Sequence, residues 1–371
     1  MFNCFFINRQ SDEANKIFRY ILFTLIILAF CFPRFSHADD SEYPGTLVDI
    51  GTHRLHIHCT GTKSPSVIID SGLGGFSLEW WQIQKTLSSQ IRICSYDRAG
   101  YGWSDPGPMP RTTKQIAEEL RLLLSNAHIP GPYILVGHSF GGFNIRYFAS
   151  QNPELVAGMV LIDSSHPEQF DRFPAARPGP KTKRPNSINY TITRPVMPDN
   201  YPGQVKALGY RLMTSYKARA TYIQESRSFR LSSEQVLAEN HLPDIPLTIL
   251  SRGKRVWPED ELGDQLEMIW VELQDELASL SSQTLHLSAQ QSGHLIHLDQ
   301  PELVALSILK TVSNVAAQKQ IEIARADINR SSTSQANQSS LLYTLPTGTN
   351  NRYPLRRWIP EEDLSSGPYW H

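Results

Sequence analysis

The segment that most constrains the fold is residues 133–142, Tyr-Ile-Leu-Val-Gly-His-Ser-Phe-Gly-Gly. The apolar run Tyr133–Val136 predicts a buried strand, and the residues that follow the glycines have helical spacing. Ser139 therefore falls on a sharp strand-to-helix turn, the arrangement of a nucleophile elbow. Glycine is favoured at positions 137 and 141 because a Cβ there would crowd the turn. The strained backbone of such a turn costs about 1–3 kcal/mol. Ser139 is thus the candidate nucleophile.

Along most of the chain, short apolar runs bounded by turn residues alternate with segments of helical spacing. This alternation predicts an α/β fold with a mainly parallel sheet and helices on both faces. With 371 residues and 40% hydrophobic content, the chain is long enough for one large α/β domain with insertions. The predicted strands are Thr46–Ile50, Arg54–Cys59, Ser66–Asp70, Ile91–Asp97, Tyr133–Val136, Ala157–Asp163, Leu247–Ser251 and Thr284–Ala289.

The regular alternation stops after Asp163 for roughly eighty residues, which is long for a connection inside a compact domain. Residues 165–202 are rich in proline, arginine and lysine, and residues 203–240 return to helical spacing. We therefore predict that residues 165–244 form a cap or lid over a site. The core of the domain then comprises residues 44–164 and 245–317.

The C-terminal residues 321–371 do not continue the pattern of the domain. Residues 331–340 form a tract rich in serine, glutamine and asparagine, and the aromatic residues beyond it show no period. We interpret residues 321–371 as a disordered tail, with a strap that packs on the domain as the alternative.

The N-terminal residues predict export. Three basic residues precede the apolar run Tyr20–Phe32, and Ser36-His37-Ala38 provides a small-x-small cleavage site. We interpret residues 1–38 as a signal peptide, because this apolar run is short of the ~20 residues that span a bilayer. An uncleaved membrane anchor is the alternative. The expected location is therefore periplasmic or extracellular.

Two of the four cysteines, Cys59 and Cys94, would remain in the exported protein. In an oxidising compartment they form either a disulfide or two buried thiols, and the residues alone leave both alternatives open. The formal net charge of −1 provides no broad field for nucleic acid. We therefore expect a small-molecule substrate.

A serine hydroxyl is a weak nucleophile at neutral pH, so it needs a base and a group that orients the base. His294 follows the last predicted strand and precedes a helix, so it lies on a loop at the carboxyl end of that strand. His297 is the neighbouring alternative, but it approaches the final helix and is expected to pack. We predict His294 as the base.

Asp163 ends the strand after the elbow helix and is therefore expected at the same sheet edge as Ser139. The turn after Leu247–Ser251 contains no carboxylate, and Asp260 and Glu259 come several residues later, at a helix start. Asp163 is our predicted acid, with Asp260 and Glu259 as alternatives.

Acyl transfer also requires hydrogen-bond donors where negative charge develops. The glycine-rich segment Asp70–Gly75 follows a predicted strand, and we expect the N–H groups of Leu73 and Phe140 to form an oxyanion hole. The segment lacks the Lys-Ser/Thr ending of a phosphate loop. The segment Asp97–Ser104 is interpreted as part of the scaffold beside the site, in which Arg98 can bind the carboxylate of Asp97 or neighbouring backbone carbonyls. Substrate contact by Tyr101 or Trp103 is the alternative.

These residues resemble the α/β-hydrolase superfamily over roughly residues 44–317. The resemblance implies an eight-stranded, mostly parallel sheet whose second strand is antiparallel, a cap after the sixth strand, and chemistry without a cofactor. It also places the second and fourth strands side by side, which favours a Cys59–Cys94 disulfide. The matching segments are Gly137–Gly141, Ser71–Gly74, Asp97–Ser104, Gly293-His294 and Asp299–Pro301.

The candidate residues follow the order of the superfamily, with Ser139 first, Asp163 second and His294 last. Two features depart from its commonest pattern: Ser71 stands where many members have histidine, and no acid directly follows the seventh strand. A minority of members carries the acid after the sixth strand, which favours Asp163. Because the nucleophile position holds serine, dehalogenase and epoxide-hydrolase chemistry is not expected.

The sequence thus predicts an exported serine hydrolase of carboxylic ester or related acyl bonds. An amidase, a lactonase or an acyltransferase would use the same residues. A ligand-binding protein that retains the fold without turnover is the alternative from another class.

Overall fold

The structure is a computed structural model that describes residues 45–174, 197–198, 201–239 and 241–341, with side chains described up to residue 330. The predicted signal peptide therefore lies outside the described residues, as does most of the Pro-, Arg- and Lys-rich part of the predicted cap. Within the described part, eight strands form one sheet in the order β1-β2-β4-β3-β5-β6-β7-β8. They are β1 (Thr46–Asp49), β2 (Arg54–Thr60), β3 (Ser66–Asp70), β4 (Arg92–Tyr96), β5 (Tyr133–His138), β6 (Val156–Ile162), β7 (Leu247–Arg252) and β8 (Thr284–Ala289).

Strand β2 runs antiparallel to both of its neighbours, β1 and β4, and all the other pairs are parallel. The predicted eight-stranded, mostly parallel sheet is confirmed, and the strand boundaries agree with the predicted ones to within one residue at each end except where the elbow strand continues to His138. Because the parallel strands all point the same way, their carboxyl ends share one edge of the sheet.

The helices follow the strands in the expected alternation. Thr112 caps the second helix by accepting a hydrogen bond from the N–H of Gln115. The described helices are α1 (Trp81–Leu87), α2 (Thr113–Asn126), α3 (Phe140–Gln151), α4 (Gln169–Arg172), α5 (Gly203–Met213), α6 (Tyr216–Ala238), α7 (Glu261–Leu277), α8 (Ile296–Asp299) and α9 (Pro301–Leu341), with short 3₁₀ turns at Ser77–Trp80, Pro153–Leu155 and Ala278–Leu280.

Hydrophobic residues fill both faces of the sheet. Side chains alternate along a strand, so Ile68 and Leu135 belong to one buried cluster, whereas Val67, Ile69 and Ile134 belong to a second. This explains why the central strands read as continuous apolar runs in the sequence. The sheet is therefore a rigid platform for the loops at its carboxyl edge.

Helix α6 lies within the predicted insertion, yet it packs on the core. Phe229 lies 5.0 Å from Phe140 and 5.4 Å from Phe143 between ring centroids. The hydroxyl of Ser232 accepts a hydrogen bond of 3.0 Å from the N–H of Thr113 at the start of α2. The segment between β6 and β7, which follows Asp163 in the sequence, therefore also contributes side chains to the core.

Cys59 and Cys94 are direct partners in the β2–β4 register and form a disulfide. Of the two alternatives that the residues left open, the structure contains the bridge. It joins the two strands that the resemblance placed side by side.

Part of the predicted C-terminal tail is helical. The chain divides into two units at Ala317, and helix α9 continues to Leu341. Residues 321–341 are therefore helical, not disordered as predicted, and residues 342–371 of the predicted tail lie outside the described residues. The physical reason is that residues 318–341 contain neither glycine nor proline, the two residues that most disfavour the interior of a helix.

In the part of the chain that the structure describes, no helix combines the length and the apolar character needed to cross a membrane.

Candidate active site

Ser139 lies between the end of β5 and the start of α3 with φ of +51° and ψ of −118°. This left-handed region is costly for a residue with a side chain, so the fold around the serine must impose it. A Cβ at Gly137 would lie 2.8 Å from backbone atoms of Gly141, and one at Gly141 would collide with the carbonyl oxygen of Asp70. The two glycines therefore allow the tight turn on which Ser139 sits.

His294 lies on the loop after β8, as expected. Its Nδ1 atom lies 2.6 Å from Oδ2 of Asp163. Its carbonyl oxygen accepts a hydrogen bond of 2.8 Å from Nε2 of His138, the residue before Ser139, and the two rings are 4.7 Å apart between centroids. The structure thus brings the His294 loop against the elbow and joins the imidazole to Asp163.

Asp163 follows β6 and is fully buried. Its Oδ1 atom accepts a hydrogen bond of 2.9 Å from Nε1 of Trp270 and one of 3.3 Å from the N–H of Arg252. Burial raises the pKa of Asp163, but the hydrogen bond and charge of His294, the charge of Arg252 and the Trp270 hydrogen bond outweigh it, so the pKa lies below its ordinary value. The carboxylate is therefore ionised at neutral pH.

An ionised carboxylate can only accept hydrogen bonds, so Nδ1 of His294 carries the proton that points at Asp163. Nε2 of the same ring is then the nitrogen that can take a proton. This tautomer is the one that a base for a serine hydroxyl requires.

The alternative acids and the alternative base have other contacts. Asp260 caps helix α7, where its Oδ1 accepts a hydrogen bond of 2.7 Å from the N–H of Gly263, and Glu259 is exposed. His297 is buried and stacks on Trp80 at 4.5 Å between ring centroids. The carboxylate–imidazole pair at the elbow is therefore formed by Asp163 and His294. The alternatives Asp260, Glu259 and His297 do not take part in it.

The predicted oxyanion donors lie on two segments beside Ser139. Phe140 is the first residue of α3, where a backbone N–H has no carbonyl partner within the helix. A Cβ on Gly72 would lie 3.3 Å from Cβ of Ser139, so the turn that carries Leu73 passes directly beside the nucleophile. The N–H of Gly75 donates to the carbonyl of Gly72 over 3.0 Å and closes this turn.

Sequence reasoning missed Trp270 and Arg252. Trp270 lies on the buried stripe of α7, which in the sequence reads as core packing. Arg252 ends β7, its Nη1 lies 3.4 Å from both carboxylate oxygens of Asp163, and its Nη2 donates to Glu267 over 2.9 Å. The position of Arg252 at the carboxyl end of a core strand is the signal that could have identified it.

One group of described side chains has the spacing of metal ligands: His166, Glu168 and Glu276 have ligand atoms within 4.8 Å of one another. Glu276 is engaged by Arg172, and Nδ1 of His166 accepts a hydrogen bond of 3.2 Å from the N–H of Glu168. These contacts describe an ion-paired loop.

The comparisons with known proteins agree with this architecture. The family described as "alpha/beta hydrolase fold" matches residues 65–184. The uncharacterized protein YqjL of Bacillus subtilis (strain 168) is 29% identical over 252 residues, which are 68% of this chain and 85% of that protein. "Probable transporter efuK" of Hormonema carpetanum is 25% identical over 327 residues, and the match spans 76% of this chain but only 45% of that longer protein.

Among solved structures, a thermophilic esterase from Thermogutta terrifontis has a TM-score of 0.53 with 20% identity, over 74% of this chain and 99% of that one. At this identity the likeness concerns the fold. The sheet topology, the elbow and the family match over residues 65–184 together support the α/β-hydrolase superfamily for this chain.

Proposed function

We propose that this protein is a serine hydrolase that cleaves carboxylic ester or related acyl bonds. Ser139 would be the nucleophile, His294 the general base and acid, and Asp163 the carboxylate that orients His294. The backbone N–H groups of Leu73 and Phe140 would hold the oxyanion. The match to the α/β-hydrolase family supports a hydrolase, and the site geometry supports this division of roles.

The observation that carries the proposal is the hydrogen bond between His294 and Asp163 beside the Ser139 elbow. Asp163 is buried, accepts through both oxygens and has a lowered pKa. Such a carboxylate stabilises the imidazolium that forms when His294 takes a proton. A histidine that served only packing would not need a buried, ionised partner.

The reaction would proceed in two steps. Ser139 Oγ attacks the carbonyl carbon while Nε2 of His294 takes its proton, and the two N–H groups stabilise the negative oxygen. His294 then gives the proton to the leaving alcohol. Water, deprotonated by the same nitrogen, attacks the acyl-enzyme, and the proton returns to Ser139 as the acid is released.

The substrate is proposed to be a small uncharged or weakly charged ester. One solved structure of similar fold is named an esterase, and the formal net charge of −1 gives no broad field that would select a polyanion. An amide, a lactone or acyl transfer to an alcohol would use the same groups.

We also propose that the protein is exported, with residues 1–38 as the signal peptide. The Cys59–Cys94 disulfide supports this location because such bridges persist in oxidising compartments. Retention of residues 1–38 as a membrane anchor is the competing outcome. Cell fractionation, with the N-terminal residue of the isolated protein determined by mass spectrometry, separates the two.

Labelling with a fluorophosphonate probe tests the catalytic proposal. The wild-type protein should react, and mass spectrometry of its peptides should place the phosphonyl group on Ser139. Ser139→Ala should abolish both labelling and the hydrolysis of p-nitrophenyl acetate. Ser150→Ala is the matched control, because Ser150 lies on α3 with its hydroxyl bonded to the carbonyl of Tyr147, and it should keep wild-type rates.

A series of p-nitrophenyl esters of increasing chain length then defines the acyl group that is accepted. A folded wild-type protein that neither reacts with the probe nor hydrolyses any ester of the series would overturn the proposal. In that case a ligand-binding protein with this fold would be the better account.

A further inference from the structure

The guanidinium of Arg98 is buried directly behind the turn that carries Leu73. Its Nη1 atom donates to the carbonyl oxygen of Ser71 over 2.5 Å, and its Nη2 atom donates to the carbonyl oxygen of Gly72 over 2.8 Å. Arg98 is almost completely excluded from solvent. Two consecutive carbonyls of the turn are therefore held by one rigid, planar group.

The direction of these two carbonyls determines the direction of two N–H groups. In a trans peptide unit the C=O and the following N–H point in opposite directions. When the carbonyl of Gly72 points at Arg98, the N–H of Leu73 points away from it, and the same holds for Ser71 and the N–H of Gly72. Gly72 lies against Ser139. Because the carbonyl of Gly72 is held on the Arg98 side of the turn, the N–H of Leu73 points to the opposite side.

Arg98 is itself fixed by two buried carboxylates. Nε and Nη2 donate to the two oxygens of Glu225 over 2.9 and 3.0 Å, and Nη1 donates to Oδ1 of Asp70 over 2.8 Å. The hydroxyl of Tyr101 also donates to Glu225 over 2.9 Å. A bidentate pair of this kind fixes the plane of the guanidinium as well as its position.

Glu225 belongs to α6, in the segment between β6 and β7, whereas Arg98 follows β4 and the turn follows β3. We propose that Arg98, held by Glu225, is a positioning residue that fixes the N–H of Leu73 in the oxyanion hole. The inference rests on the function proposed above. It gives α6 a part in the chemistry, since the hole is correctly oriented only when this helix is docked.

A second buried pair of the same chemistry provides a matched control. Arg111 donates through Nη1 and Nη2 to the two oxygens of Glu119 over 2.6 and 2.7 Å, and both side chains are buried. Arg111 also donates to a backbone carbonyl, that of Pro108, which does not belong to the turn that carries Leu73. Disrupting this pair perturbs a buried ion pair without releasing Ser71 or Gly72.

The test compares Arg98→Lys and Glu225→Gln with Arg111→Lys and Glu119→Gln in the full chain. A lysine at residue 98 retains the charge but cannot donate to both carbonyls and both carboxylates together. Each variant is titrated with the fluorophosphonate probe to count active sites, and kcat and KM for p-nitrophenyl acetate are measured per active site. The affinity for a trifluoromethyl ketone, whose hemiketal oxygen occupies the oxyanion hole, is measured in parallel.

Loss of one oxyanion donor lowers kcat by 10²–10³, so a misdirected one in Arg98→Lys should lower kcat by about 10- to 100-fold. KM should change by less than about twofold, and the ketone should bind more weakly by the factor by which kcat/KM falls. Glu225→Gln should act in the same direction by about 3- to 10-fold. Both control variants should keep wild-type kcat even where their unfolding midpoints fall.

Wild-type kcat per active site in both Arg98→Lys and Glu225→Gln would overturn the inference, as would an equal loss in the control variants. If Arg98→Lys does not fold, Glu225→Gln decides alone. Failure of the wild-type protein to label at Ser139 is a different result, because it overturns the proposed function itself.

Discussion

The indole Nε1 of Trp270 donates to Oδ1 of Asp163 over 2.9 Å, while Oδ2 of the same carboxylate lies 2.6 Å from Nδ1 of His294. One oxygen of Asp163 is thus bound by the protein scaffold and the other by the histidine. A carboxylate held in this way cannot rotate without breaking the Trp270 hydrogen bond. Trp270 should therefore affect catalysis although it does not reach Ser139.

We predict that Trp270→Phe lowers kcat about 3- to 10-fold and raises the pKa of Asp163. A hydrogen bond to a charged group is worth about 1.5–3 kcal/mol, and its loss favours the neutral carboxylic acid. The Asp163 pKa is lowered in the wild-type protein, and in the variant it should lie closer to its ordinary value. A carboxyl ¹³C NMR titration of the two proteins measures this change, and kcat for p-nitrophenyl acetate measures the loss of activity.

Trp257→Phe is the control for Trp270→Phe. The two rings lie 5.9 Å apart between centroids, and both lie under the guanidinium of Arg252, but among the described contacts Asp163 accepts from Trp270 alone of the two. Equal effects of the two substitutions would show that aromatic packing, not the hydrogen bond, is responsible.

The identity of the acid is tested by comparing Asp163→Asn with Asp260→Asn. The first substitution should lower kcat by about 10⁴-fold, because an asparagine favours the wrong tautomer of the histidine. The second should change kcat by less than about twofold, since asparagine caps a helix as well as aspartate and Asp260 is the cap of α7. A large loss in Asp260→Asn with activity retained in Asp163→Asn would assign the acid to the β7 side of the site.

Local sequence patterns were sufficient for the sheet and the elbow. The strand before Ser139 and the helix after it are adjacent in the chain, and small residues are required at fixed offsets, so the turn chemistry can be read directly. The same holds for His294, which follows a strand and comes before the final helix. These features depend on neighbours within about ten residues, where periodicity is informative.

Contacts between residues that are far apart in the sequence could not be predicted from such local patterns. Glu225 lies 127 residues from Arg98, and in the sequence it is one charge among many on a helix, the usual mark of a solvated face. Periodicity indicates which face of α6 is buried but not which residue it meets. Trp270 and Arg252 were missed for the same reason, because their role depends on which strands and helices lie side by side at Asp163.

Reduction of the Cys59–Cys94 bridge should lower the free energy of unfolding by about 4 kcal/mol. The bridge closes a loop with a sequence separation of 35 residues, and closing such a loop removes chain entropy from the unfolded state. Urea unfolding with and without dithiothreitol measures the difference. The double variant Cys59→Ser/Cys94→Ala should show no response to dithiothreitol, and an equal response in both proteins would assign the effect to something other than this bridge.

The stability of the protein should fall as the pH drops from 6.5 to 4 because of His166. Burial lowers the pKa of His166 to about 4, with Arg146 and Arg172 acting in the same direction and Glu276 opposing them. Between its folded pKa of about 4 and its ordinary value of 6.5, the unfolded chain binds more protons than the folded protein, so acid favours unfolding. This shift corresponds to a loss on the order of 3 kcal/mol.

His166→Gln should remove the part of this slope that His166 contributes, because glutamine does not titrate and its amide oxygen can still accept the hydrogen bond from the N–H of Glu168. The rest of the slope should remain, since burial also lowers the pKa of His138 and of His58. Urea unfolding at several pH values between 4 and 7 gives the slope, which is read independently of any uniform loss of stability. The exposed His241 provides the control His241→Gln, which should retain the wild-type slope. Parallel curves for wild type and His166→Gln would contradict the assignment, since the protons taken up on unfolding would then bind to another group. Asp163 does not compensate within this range: its pKa is lowered from 3.8, so its stabilising contribution is present above that value and is lost only as the pH falls further, through the folded pKa.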